Sequence, residues 1–327
     1  MGLFKFLHFR FSLFFFWVSV FSRFLELRLH LPLNPRSFIL FYLFSFLLEM
    51  ARTKTTSNPP PNIDYKALYP WASTELLVEI STLTSSEDVW KHQDEEPGCK
   101  GWVFGRESDT YVLVRPCAKG EPVCADDRAN DGEPFFFLYS TFVKWIKLHL
   151  PLTNFKRALL TEINVAPTQL HSNNLAFMRA FAILCNHFGH PPSVDVFLHF
   201  FEAKSPGKNL WVSFSGVAGK VLLTLFQKSY KGFKGKFFRV CCTDHDPTLL
   251  YGFPLYWVGR LKLKKPKTLE ELTPPDRELC QVLSSLGVML NTAQLIKHEF
   301  SSSGLKDYIG TCFNSFSTSV CISVPSG

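Results

Sequence analysis

Residues 172–188 constrain the fold most, because a helix drawn through them is apolar around most of its circumference. The apolar side chains are Leu175, Phe177, Met178, Phe181, Ile183, Leu184, Cys185 and Phe188. Ser172 or Asn173 can cap the start of this helix, and Gly189 with the prolines that follow it ends it. A helix that is apolar on every side has to be covered by other elements. At 327 residues the chain is long enough to supply them.

Further helices and several short strands are predicted around this helix. One helix would carry on a single face Leu138, Phe142, Trp145, Ile146 and His149. Thr153 and Ser193 can cap two more. A last helix would run from Thr268, or from Asp276 to Val288, with Thr273 or a proline in its first turn as the cap. The predicted strands are Leu210–Phe214, Phe237–Cys241 and Leu255–Val258. The pattern predicts an α+β, mainly helical fold, in which a helical bundle is followed by a small antiparallel sheet.

The first 49 residues form a hydrophobic leader with thirteen of the chain's 34 phenylalanines. It has two apolar runs of about twelve residues, whereas a bilayer-spanning helix needs about 20 and a signal peptide about this many. Met50 opens a polar, proline-rich stretch of the kind that precedes a domain. We interpret Met50 as the true start, which places the protein in the nucleus or cytoplasm. The alternative is a signal or membrane anchor in residues 1–48, with residues 1–49 expressed and the protein at a membrane.

The composition changes along the chain predict five regions. In order they are a hydrophobic leader (1–49), a disordered linker (50–72), a small mixed region (73–134), the main domain (135–290) and an irregular tail (291–327). In the mixed region, Ser73 can cap a short helix, and residues 102–104 and 111–114 are suited to a hairpin.

The cysteines and acids point away from metal and disulfide chemistry. Nine scattered cysteines without a repeated C-x-x-C spacing are typical of reduced thiols in cytosol or nucleus. The nearest approach to a zinc knuckle is Cys241-Cys242-x-x-His245, which lacks the remaining ligands. A transposase needs three carboxylates that hold two divalent metals. Asp244 and Asp246 could supply two, and no third acid is placed with them. We therefore predict no enzyme activity, no catalytic or metal-binding residue and no cofactor.

The net charge of +7 is concentrated late in the chain. Residues 220–267 hold eleven Lys or Arg and two Asp, for a charge of +9. Cations can neutralise phosphates while aromatic rings stack on bases. The predicted nucleic-acid-binding residues are Lys228, Lys231, Phe233, Lys234, Lys236, Arg239, Lys262, Lys264 and Lys265. The alternative is a solvated strand face followed by a basic linker that binds nothing.

Six motifs occur in series between residues 135 and 240. They are Phe135-Phe136-Phe137-Leu138-Tyr139, Val165 to His171, Ala176 to Asn186, Val196 to Phe201, Trp211-Val212-Ser213, and Phe237 to Val240. In order and spacing the series resembles the plant gypsy-type transposase domain, which occurs in reading frames derived from retrotransposons. The resemblance is strong over about a third of the chain. No catalytic residues are established for that family, so it implies an origin rather than a reaction.

The resemblance favours a non-enzymatic, gag-like protein that binds nucleic acid or associates with itself. Two alternatives stay open. One is a membrane-associated protein anchored by residues 1–48. The other is a metal-dependent transposase, as the family name suggests, which would depend on Asp244 and Asp246.

Overall fold

A computed structural model describes residues 63–89, 112–129, 133–205, 207, 210–228, 230–242 and 250–321. All of them fall within one of the chain's two units, Pro61–Gly327. The predicted leader, the predicted strand at residues 102–104, and Asp244 and Asp246 lie outside the described residues.

The described helices and strands alternate along the chain. The helices are α1 (Tyr65–Leu68), α2 (Thr74–Leu77), α3 (Ser140–Lys144), α4 (Asn154–Ile163), α5 (Ser172–His187), α6 (Val194–Phe200), α7 (Pro274–Ser284), α8 (Thr292–His298) and α9 (Ser302–Cys321). The strands are β1 (Val112–Arg115), β2 (Phe136–Tyr139), β3 (Phe201–Lys204), β4 (Ser213–Gly216) and β5 (Phe237–Cys242).

Two small antiparallel sheets lie among these helices. The larger has the order β1-β5-β2, so that Val240 pairs with Val114 on one side and with Phe136 on the other. The smaller consists of β3 and β4. The α+β class is therefore confirmed, but the prediction of a bundle followed by a sheet is wrong, because helices and strands are interleaved. Since β1 and β2 share β5, the sheet also crosses the predicted boundary between residues 134 and 135.

The central helix is where the sequence places it. In α5 nearly every side chain is buried, from Ser172 to Cys185. Its cap is His171 rather than Ser172 or Asn173, since the Nδ1 atom of His171 accepts from the Asn173 N–H at 3.3 Å. The buried Asn174 joins the helix to the second sheet, because its side chain donates to the Val212 carbonyl at 2.7 Å and accepts from the Phe214 N–H at 2.8 Å.

Three of the predicted helix starts are confirmed by side-chain caps. Ser73, Thr153 and Thr273 each accept a backbone N–H at the start of α2, α4 and α7. Ser193 also precedes its helix, α6, but its side chain makes no cap bond. A polar cap residue followed by an apolar periodicity is local information, so these helix starts can be predicted from the sequence.

Two predicted elements near the sheets are wrong. The helix across residues 138–149 is instead the end of β2 followed by the short α3. Aromatic residues that fit helical spacing also fit a strand buried on both faces, and all four residues of β2 are buried. The predicted strand Leu255–Val258 is irregular, and the one at Leu210–Phe214 is displaced to Ser213–Gly216. Phe237–Cys241 is confirmed within β5.

The ends of the described region are more ordered than predicted. Residues 63–72 of the expected linker include α1, capped by Asp64, and the fully buried Tyr69. Residues 292–321 of the expected irregular tail form α8 and α9, and Leu295 of α8 is fully buried. A few buried apolar side chains fix each of these segments. Within the described ranges, no helix is both long and apolar enough to cross a bilayer.

Lys156 of α4 carries a cationic group that is buried in the fold. Its side chain is almost inaccessible, and burial lowers the pKa of its ammonium group to about 8. The nearby guanidinium of Arg179 also lowers this pKa, whereas the Glu299 carboxylate opposes the change. Arg179 itself donates to the backbone carbonyls of Ile146 and Lys147 and to Glu299. The charge of Lys156 is therefore held where water cannot solvate it.

We expect Lys156→Met to raise the free energy of unfolding, by up to about 3 kcal/mol near neutral pH. The folded pKa of about 8 lies below the unfolded value of 10.5. The penalty is complete below about pH 8 and disappears as the folded state releases its proton between about pH 8 and 10.5. Urea unfolding at several pH values should therefore show the advantage of the variant shrinking across that window. An advantage that does not vary with pH, or one shared by the exposed Lys297→Met control, would contradict this account.

Candidate nucleic-acid interface

The first basic segment, residues 228–239, is fixed to the fold through its backbone. The Gly235 carbonyl accepts from the Thr82 N–H at 2.7 Å, and the Lys236 carbonyl accepts from the Ser140 N–H at 2.8 Å. Gly232 turns the chain with a φ of +67°, a conformation that favours glycine. The segment thus ends at β5 in a defined position.

Three lysines of this segment, Lys228, Lys231 and Lys236, have exposed side chains. Within the described residues, no ion pair joins any of them to an acid. These three lysines can therefore meet a phosphate without first losing a partner.

Phe233 is not available for base stacking. Its ring is buried, with its centroid 5.1 Å from that of Tyr139 and 5.8 Å from that of Trp211. Tyr230, three residues earlier, is buried as well. The aromatic residues of the first basic segment belong to the core, which corrects their predicted role.

Lys234 is exposed, but its ammonium group already has two contacts within the protein. Its Nζ atom lies 2.7 Å from Glu79 Oε1 and 4.5 Å from the centroid of the Trp211 ring. Burial raises the pKa of the Glu79 carboxyl group, and Lys234 partly offsets that rise. A phosphate would have to compete with both contacts for this lysine.

Arg239 is a core residue. Its guanidinium Nε lies 3.1 Å from both carboxylate oxygens of Glu121, and a second nitrogen lies 2.5 Å from one of them. It also lies 4.9 Å from the centroid of the Phe135 ring. With Glu121 completely buried, the pair is structural, and Arg239 has to be removed from the predicted interface.

The second basic segment, residues 260–267, lies against the C-terminal end of α4. The Lys262 N–H donates to the Ile163 carbonyl at 3.4 Å, and the Lys264 ammonium lies 2.8 Å from Glu162 Oε1. Lys262 and Lys265 are exposed, and no ion pair within the described part of the chain includes either. They are the available lysines of this segment.

Acids from elsewhere in the chain reduce the charge of the late basic region. Four of the eleven cations in residues 220–267 are paired, since Lys267 lies 3.8 Å from Asp195 and the other three are those described above. These four acids lower the charge of +9 to +5. The remaining excess is carried mainly by exposed side chains.

The described residues bring together no group of three His, Cys, Asp or Glu that could hold a metal ion. Asp244, His245 and Asp246 lie outside those residues, so the arrangement of this acidic pair is not described. His171 lies beside the first basic segment, and its pKa is lowered by burial and by the charge of Lys234. It acts as the cap of α5.

The part of the chain that matches a known family contains the helices α3 to α6. Residues 139–205 match the family described as "Putative gypsy type transposon". This transposon segment runs from the end of β2 through α5 and α6 to β3, and so includes the buried central helix. Searches of curated proteins and of solved structures gave no match.

Both basic segments lie outside the transposon segment in sequence. The first is nevertheless packed on it, through the contact of Phe233 with Tyr139 and the bond between Lys236 and Ser140. The acids that neutralise Lys234, Arg239 and Lys264 were not anticipated. They lie far from these cations in sequence, or on a different element, so no local pattern reveals the pairing.

Proposed function

We propose that this chain is a non-enzymatic, retrotransposon-derived protein that binds nucleic acid through its two basic segments. The observation that carries the proposal is a set of exposed lysines without an acidic partner in the described residues. They are Lys228, Lys231, Lys236, Lys262 and Lys265. Contacts of this kind neutralise phosphates and release counterions, so the binding is electrostatic and largely independent of sequence.

The transposon segment supports the gag-like character of the proposal. A structural protein of a mobile element covers nucleic acid along its length and needs no reaction of its own. Self-association along the strand would raise the occupancy of many weak contacts. The protein would act where its nucleic acid is, in the cytoplasm or nucleus.

The triple variant Lys228→Ala, Lys231→Ala, Lys236→Ala should bind nucleic acid about 10- to 100-fold more weakly at about 0.1 M salt. The reason is the loss of three phosphate contacts from exposed side chains that form no ion pair within the described residues. Fluorescence anisotropy with labelled single-stranded and duplex DNA and RNA measures the change. The full chain should be used, because α8 packs against α5 and a truncation after α7 would expose that helix.

The matched control removes three exposed lysines from other surfaces, in the variant Lys119→Ala, Lys297→Ala, Lys306→Ala. It changes the net charge by the same amount and should retain most of the affinity. Equal losses in the two variants would show that only overall charge matters. Absence of binding by the native protein at about 50 mM salt would refute the proposal.

A further inference from the structure

Two of the three most exposed aromatic side chains of the described residues lie beside the second basic segment, and none lies within the first. Three such side chains expose more than a third of their surface, namely Trp71, Tyr251 and Phe300. In the first segment, by contrast, Tyr230, Phe233, Phe237 and Phe238 are all buried. Any stacking of bases must therefore take place elsewhere than the sequence suggests.

Trp71 is held directly against the start of the second basic segment. A β carbon at Gly259 would lie 3.2 Å from Cγ and 3.3 Å from Cδ2 of Trp71, so the indole packs on the bare backbone there. Arg260, the next residue, is exposed. The ring of Tyr69 braces the indole in an edge arrangement, with centroids 6.3 Å apart. The indole is thus fixed in orientation while 36% of the Trp71 surface remains exposed.

Both stretches of chain that meet at this indole carry cations. The ammonium group of Lys66 donates to the Ala72 carbonyl, one residue after Trp71, at 2.8 Å. Arg260 and Lys262 follow Gly259, the residue on which the indole packs. Neither Lys66 nor Arg260 forms an ion pair within the residues that the structure describes.

Tyr251 lies near the same end of α4 as Lys262 and Lys264. The Thr161 hydroxyl donates to the carbonyl of Gly252, the neighbour of Tyr251, at 2.6 Å. The same end of the helix contacts Lys262 through the Ile163 carbonyl and Lys264 through Glu162. Tyr251 is 61% exposed. A second aromatic ring therefore accompanies the cations along this surface.

We propose that Trp71 is a stacking platform for an unpaired base, and that the surface around it selects single-stranded nucleic acid. Arg260, Lys262 and Lys265 would bind the phosphates, and Tyr251 would offer a second ring. An exposed indole fits every base, because each has an aromatic face, whereas the bases of a duplex are already stacked on one another. This inference rests on the proposed nucleic-acid binding and adds to it the class of ligand and the residue that recognises it.

The test uses two labelled oligonucleotides of about 15 nucleotides, one of thymidines and one with abasic sites and the same phosphates. The native protein should bind the thymidine strand more tightly than the abasic strand. Trp71→Ala should weaken thymidine binding about 5- to 100-fold and leave abasic binding unchanged. Trp71→Phe should restore part of the loss. Gly259→Ala should lower the same affinity by displacing the indole, and Phe300→Ala, a matched exposed aromatic, should have no effect.

The results distinguish failure of the Trp71 stacking platform from failure of the proposed nucleic-acid binding. If the lysine variants weaken binding but Trp71→Ala does not, the stacking platform is refuted and electrostatic binding stands. Equal native affinities for the thymidine and abasic strands would refute it in the same way. If the native protein binds neither strand, both the platform and the proposed function fail.

Discussion

Replacing Glu121 with alanine should lower the free energy of unfolding by about 3–5 kcal/mol. Glu121 is completely buried, and its carboxylate also accepts the Ala118 N–H at 2.8 Å. Removing it would take a buried carboxylate away from the guanidinium of Arg239, a residue of β5 that lies against the Phe135 ring. Chemical denaturation of the two proteins at neutral pH measures the difference.

The double variant Glu121→Leu, Arg239→Met distinguishes the cost of breaking the ion pair from the cost of lost packing. Replacing both partners with apolar side chains should recover most of the stability lost in Glu121→Ala. If Glu121→Ala costs less than about 1 kcal/mol, Arg239 reaches solvent and its removal from the interface is wrong.

Leu295→Ala should lower the free energy of unfolding by about 2–5 kcal/mol. Leu295 is fully buried in α8, which packs against the central helix α5. The cavity left by the truncated side chain would adjoin the most deeply buried element of the fold. The exposed Lys297→Ala in the same helix is the matched control and should change stability by less than about 0.5 kcal/mol. Equal effects of the two variants would mean that the C-terminal helices are not part of the core.

Local patterns were enough to predict the helices that carry their own boundaries. α4, α5 and α7 each combine a polar residue near the start with an apolar periodicity, and each begins within two residues of a predicted start. The strand β5 could also be predicted, because its apolar run is short and follows Gly235. What could not be predicted is that β5 lies between β1 and β2, because both of these strands come much earlier in the chain than β5.

The sequence also does not show which cations of the candidate site are exposed and which are paired with an acid. The cations of residues 228–239 look equivalent in sequence, yet Lys231 is exposed, Lys234 is paired with Glu79 and Arg239 is buried on Glu121. The aromatic residues between them turn inward because the same stretch leads into a buried strand. The sequence does not mark Trp71 as part of this surface, because Trp71 and Gly259 are far apart in the chain and meet only in the folded protein.

The most direct test of electrostatic nucleic-acid binding is the dependence of affinity on salt. For a single strand, five phosphate contacts predict that the logarithm of the association constant falls with the logarithm of salt concentration with a slope of about −3 to −4. The triple variant of Lys228, Lys231 and Lys236 should reduce that slope by about 2. A slope near zero, or the same slope in the native and variant proteins, would contradict the account.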